Sequence, residues 1–88
     1  MTVQAYILFK VSSGNEREVC KQIASFNKVL FASVIYGEYD IIAKVAVPSL
    51  EALEQFLSKN MRKVLSVLLT STMDVAQEYL GKGQRPKK

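Results

Sequence analysis

Histidine and tryptophan are absent from this 88-residue chain, and cysteine occurs once, at Cys20. Without histidine there is no imidazole to serve as a base near neutral pH, to activate a thiol or to hold a metal. A lone thiol cannot close an internal disulfide, which fits a reducing compartment. Cys20 therefore reads as a small buried apolar residue rather than a nucleophile. The four glycines build no phosphate-cradling loop, and no cluster of residues has metal-ligand spacing. Carboxylates and tyrosines can move protons, but nothing in the pattern selects any of them, so no catalytic residue, metal site or cofactor is expected. No apolar run approaches the roughly 18 to 20 residues that cross a bilayer. The N-terminus lacks the basic, apolar and small-residue sequence of a secretory signal, so the expected compartment is the cytoplasm.

What is present is grease and a modest positive charge. Hydrophobic residues make up 49% of the chain, which excludes a disordered polymer. At this length one small domain is expected, near the size at which contacts with partners add needed stability. The net charge is +4, yet Lys82, Arg85, Lys87 and Lys88 all fall in the last eight residues, and the remainder holds eight basic and eight acidic side chains. Residues 1–80 are thus expected to form the folded domain and 81–88 a basic flexible tail. A tail that touches nucleic acid is the competing reading, and it predicts salt-sensitive binding lost on deleting 81–88.

The most informative stretch is Lys28 to Val47. Two short apolar runs, 29–35 and 41–47, flank Tyr36-Gly37-Glu38-Tyr39-Asp40 and read as a hairpin. Gly37 supplies conformational freedom at the bend, and Asp40 can accept hydrogen bonds from nearby backbone N–H groups or merely brace the hairpin. Strict alternation sends Leu30, Ala32 and Val34 to one face and Val29, Phe31 and Ile35 to the other. In the second run Ile42 and Ala46 oppose Ile41, Ala43, Val45 and Val47. Both faces are apolar, unlike a one-sided antiparallel sheet. Lys44, on an inner strand, reads as a partner for a carboxylate of another subunit.

Around the hairpin, Val3, Ala5, Ile7, Phe9 and Val11 alternate as a first strand. Ser13 followed by Glu16 has capping-box spacing, and Val19, Cys20, Ile23 and Phe26 recur helically, predicting a helix from about Asn15 to about Phe26. After Pro48, Ser49 can cap a second helix whose apolar positions are Leu50, Leu53, Phe56, Leu57, Met61 and Val64. Val67 to Val75 reads as a fourth strand, with Thr70 and Thr72 on one face. Strand, helix, strand, strand, helix, strand gives an α+β fold, the ferredoxin-like βαββαβ two-layer sandwich of dimeric α/β barrels. Two helices cover one sheet face only. The other face, greasy along the hairpin, predicts sheet-to-sheet dimerisation, extended into a larger closed assembly.

The chain resembles the effector-binding half of the Lrp/AsnC (feast/famine) transcription regulators, the RAM module. Matching residues are Ala5-Tyr6-Ile7-Leu8, Gly14, Val29, Gly37-Glu38-Tyr39-Asp40, Leu53, Phe56, Val67 and Thr70-Ser71-Thr72. The family's usual Pro-Gly pairs before the second and fourth strands are here Asn27-Lys28 and Leu65-Ser66. Members normally carry an N-terminal helix-turn-helix; this chain begins at the sandwich and so looks like a stand-alone module without direct specific DNA binding. The resemblance implies dimers paired through their sheets, assembly commonly to octamers, and small effectors, often amino acids, held between dimers near the Gly-x-Tyr-Asp turn. It implies Tyr36, Gly37, Tyr39 and Asp40 as one wall of a ligand site, with Thr70 and Thr72 facing it, and co-assembly with full-length Lrp/AsnC regulators. The alternative function is a small dimeric α/β-barrel enzyme of monooxygenase-like or isomerase-like type, for which a closed pocket between helices and sheet would speak.

Overall fold

A computed structural model describes residues 2–84. Of the expected tail, Arg85, Lys87 and Lys88 lie outside the described residues, and Lys82–Gln84 form a single 3₁₀ turn. The strands are β1 (Val3–Val11), β2 (Val29–Val34), β3 (Ile41–Val47) and β4 (Val67–Asp74), and the helices are α1 (Glu16–Ala24) and α2 (Leu50–Lys59). The sheet runs β2-β3-β1-β4 with antiparallel neighbours throughout. This is the ferredoxin-like βαββαβ order that the sequence predicts.

Alternation in β1 and β3 sets the core. Ala5, Ile7, Phe9 and Val11 stand opposite or diagonal to Val45, Ala43 and Ile41 on one face, and all are buried. The helices close this face with Val19, Cys20, Ile23, Leu53 and Phe56, and the rings of Phe26 and Phe56 meet edge to face at 5.8 Å. Burial pushes the Cys20 thiol pKa above its usual value, which disfavours the reactive thiolate.

Several local expectations are corrected. The register of β2 shifts between Val29 and Phe31, a bulge that adds one residue to the strand. Val29 therefore joins Ala32 and Val34 against the core, while Leu30 and Phe31 are exposed. The capping box does not form: Asn15 occupies the cap position of α1 without a side-chain bond, and Glu16 instead accepts from the Gly14 N–H, where φ is +90°. That helix is also shorter than predicted, ending at Ala24. Ser49 does cap α2, its hydroxyl oxygen accepting from the Ala52 N–H at 3.1 Å. The helix stops at Lys59 rather than running to Val64, and a 3₁₀ turn, Met61–Lys63, delivers Met61 and Val64 into the core. Leu50, counted among the apolar positions, is exposed. The fourth strand ends at Asp74, and Ser66 before it takes a left-handed φ of +75°. A glycine would hold that conformation without the steric cost that serine carries.

The outer face of the sheet carries Tyr6, Leu8, Ile42, Ala46, Phe31, Leu69 and Met73. The last three are 44%, 53% and 48% exposed in the single chain. The chain beyond β4 returns to this face: the Val75 N–H donates to the Gln4 carbonyl, and Glu78 accepts from the Tyr6 hydroxyl at 2.8 Å and from Lys44 Nζ. Lys44 thus finds its carboxylate within its own chain. The pairing raises the Lys44 pKa, and the Lys44 hydrogen bond, helped by Tyr6, lowers that of Glu78.

Candidate functional site

The ladder between β1 and β3 reaches Phe9 and Ile41, and at that point Asp40 takes over. Its N–H donates to the Phe9 carbonyl and its carboxylate accepts from the Val11 N–H, both at 2.9 Å, while its own carbonyl accepts from Ile35 N–H at 2.9 Å. Asp40 therefore does brace the hairpin, but against β1 rather than against its own turn. The loop 36–39 is held out from the sheet end. Gly37 has φ +147° with open space around it, Tyr36 is 95% exposed, and the Lys10 ammonium lies 5.8 Å from the centre of the Tyr39 ring. This cation–π contact anchors the far side of the loop to β1.

Replacing Asp40 by alanine removes a charge-assisted bond and strands the N–H of buried Val11, at an expected cost of about 2 kcal/mol. Asp40→Asn keeps an acceptor and should lose less. Urea unfolding of the two variants, with hydrogen exchange at the Val11 amide, measures the difference.

A cleft of about 250 Å³ opens beside the turn, lined by Tyr36, Asp40, Val34, Ile35 and, from α1, Glu16 and Arg17. The sequence analysis did not select Glu16 and Arg17. The topology signals them, because the end of β1, the start of α1 and the β2–β3 turn all lie at one end of an antiparallel sheet. Among the described residues the one ion pair joins Lys44 to Glu78, so the Arg17 guanidinium has no carboxylate partner of its own. The cleft thus presents an unengaged cation and a carboxylate side by side, which suits a zwitterion.

Thr70 and Thr72 stand elsewhere. They pair with Phe9 and Ile7 on the opposite flank of β1, so within one chain β1 separates them from the turn. Thr70 lines a separate depression of about 260 Å³ with Arg62 and Val67. Among the described residues no helix is long and apolar enough to cross a membrane.

The model of the Lrp/AsnC ligand binding domain matches residues 4–84. An uncharacterised HTH-type transcriptional regulator of Pyrococcus furiosus is 33% identical over 70 residues, which is 80% of this chain and 47% of that protein. The chain thus spans about half the length of that relative. Among solved structures, a hypothetical protein of Pyrococcus horikoshii is 40% identical with a TM-score of 0.81, over 88% of this chain and 93% of that one. A transcriptional regulator of Neisseria meningitidis, solved as a complex with L-Met, shares the fold at 19% identity and a TM-score of 0.81, over 96% of this chain and 56% of that one. With the βαββαβ fold and the Gly37-Glu38-Tyr39-Asp40 turn in place, the chain belongs to the Lrp/AsnC ligand-binding-domain family.

Proposed function

We propose that this domain binds a small effector, an amino acid or a close analogue, beside the Gly37 turn, and that the binding acts on its assembly in transcription regulation. The observation that carries the reading is the cleft in which Arg17 and Asp40 face the same space. A zwitterion leaving water needs a partner for each charge, and this cleft offers both. Tyr36, Gly37, Tyr39 and Asp40 form one wall. Thr70 and Thr72 come from another copy, since β1 keeps them from the turn of their own chain.

The exposed outer face supports sheet-to-sheet dimers, which then associate further, to an octamer or similar closed form. The same face would accept a full-length regulator of the family. The Neisseria protein with bound L-Met lends the amino-acid class support as a protein of the same fold. An effector seated between copies shifts assembly only by its differential affinity for the competing states.

The enzyme alternative calls for a closed pocket between helices and sheet. That space is filled by Ile7, Phe9, Ile23, Ile41 and Met61, all fully buried, so the regulatory reading is favoured.

Titration calorimetry against the twenty amino acids, with sedimentation velocity on the same samples, tests the proposal. We expect heat from at least one amino acid at or below millimolar concentration, together with a change in sedimentation. Silence in both measurements across the whole set would remove the effector.

A further inference from the structure

The cleft at the turn does not end there. Arg17 and Val34 also line a second depression of about 310 Å³ that follows the seam between α1 and the edge strand β2, where Cys20, Ala24 and Ala32 form the rest of its floor and Lys21 its rim. The two spaces are therefore one continuous groove with a charged end and an apolar run. Its size sits at the small end of the roughly 300–1,000 Å³ typical of small-molecule sites. The bulge in β2 shapes it: by adding a residue at Leu30 it turns the short side chain of Ala32 toward the helix side, where a strictly alternating strand with a larger residue would close the seam.

We infer that this seam selects the effector: an α-amino acid with an unbranched or branched apolar side chain, its carboxylate on Arg17, its ammonium on Asp40, and its side chain lying along Ala24, Ala32 and Val34. The inference rests on the effector reading above and adds its specificity. The polar assignment follows from charge. Arg17 has no ion-pair partner among the described residues, and one Asp40 oxygen is held by the Val11 N–H, which leaves the other to accept from an ammonium. The apolar assignment follows from the floor, which carries two alanines, a valine and a thiol and no carboxylate. Lys21 runs its aliphatic stem along the rim with its head in water, a common habit of lysine beside apolar surface. An effector with a short side chain leaves this floor wet. Each additional buried methylene gains about fourfold in affinity.

Calorimetry with the full chain and three variants tests the assignment. Wild type should bind leucine or methionine at least tenfold tighter than glycine, aspartate or lysine. It should reject leucine amide, which lacks the carboxylate. Arg17→Gln should weaken every amino acid at least tenfold without reordering them. Ala32→Leu fills the groove from the strand and Ala24→Leu from the exposed helix side. Both should erase the preference for long side chains while leaving glycine unchanged, and Ala24→Leu gives the reading even if the strand variant folds poorly. A wild type that binds amino acids but prefers acidic or small ones overturns the seam assignment and leaves the effector reading standing. So does a rank order untouched by either alanine variant. A wild type that binds none of the twenty removes the effector reading itself.

Discussion

Phe9→Ala is expected to destabilise the domain by about 3–5 kcal/mol. The ring is fully buried at the centre of β1, between Ile41 on one side and Thr70 on the other, and it belongs to the cluster that joins sheet to helices. Truncation forfeits the transfer energy of the ring and leaves a hole that the neighbouring strands, fixed by ladders on both flanks, are poorly placed to fill. A domain of this size commonly has a total stability of about 5–15 kcal/mol, so the variant should be largely unfolded at moderate urea. Circular dichroism during urea titration reads this directly. A shift in midpoint corresponding to less than about 1 kcal/mol would mean that the core closes around the gap.

The next residue gives the opposite kind of outcome. Leu8 lies one position along β1 and faces outward between Ile42 and Ser71. On the proposed sheet-to-sheet assembly, Leu8→Asp places an unpaired carboxylate in the seam of each copy, next to its symmetry mate. Desolvating such charges costs several kcal/mol, so dimer affinity should fall at least 100-fold. The single chain barely feels the change, because in it the carboxylate reaches water. Sedimentation equilibrium should therefore show monomers whose urea midpoint, measured at a concentration where wild type is also dissociated, is close to that of wild type. Retention of the wild-type assembly would place the interface elsewhere.

These adjacent residues show why so much of the fold was legible. Period-two alternation in 3–11 and 41–47, helical spacing after Asn15 and after Ser49, and a turn at Gly37 carry the element order and the two-faced sheet. The errors have physical causes. The bulge at Leu30 has no glycine or other local mark, and it arises from pairing with β3, which a single strand does not record. Met61 and Val64 continue the helical spacing of α2, so periodicity extends it, although a 3₁₀ turn places the same side chains in the same core. At the candidate site, Gly37 and Asp40 announce themselves through turn chemistry. Glu16 and Arg17 do not, since charged residues in a first helical turn are explained by the turn itself. Glu78 lies beyond the last strand, where no periodicity remains to flag it.

The position of Glu78 constrains geometry in a way that grease alone does not. Leucines and isoleucines tolerate many rotations of one sheet upon another, but an ammonium and a carboxylate near the middle of the patch tolerate few. A second sheet must bring them water, hydroxyls or a matching pair. Of the many ways to stack two oily plates, those that press hydrocarbon onto the ions are penalised, which is how a single polar group can fix register in other apolar contacts. The Lys44–Glu78 contact would thus serve as an orientation key, contributing little to how tightly two copies hold and much to the angle at which they meet.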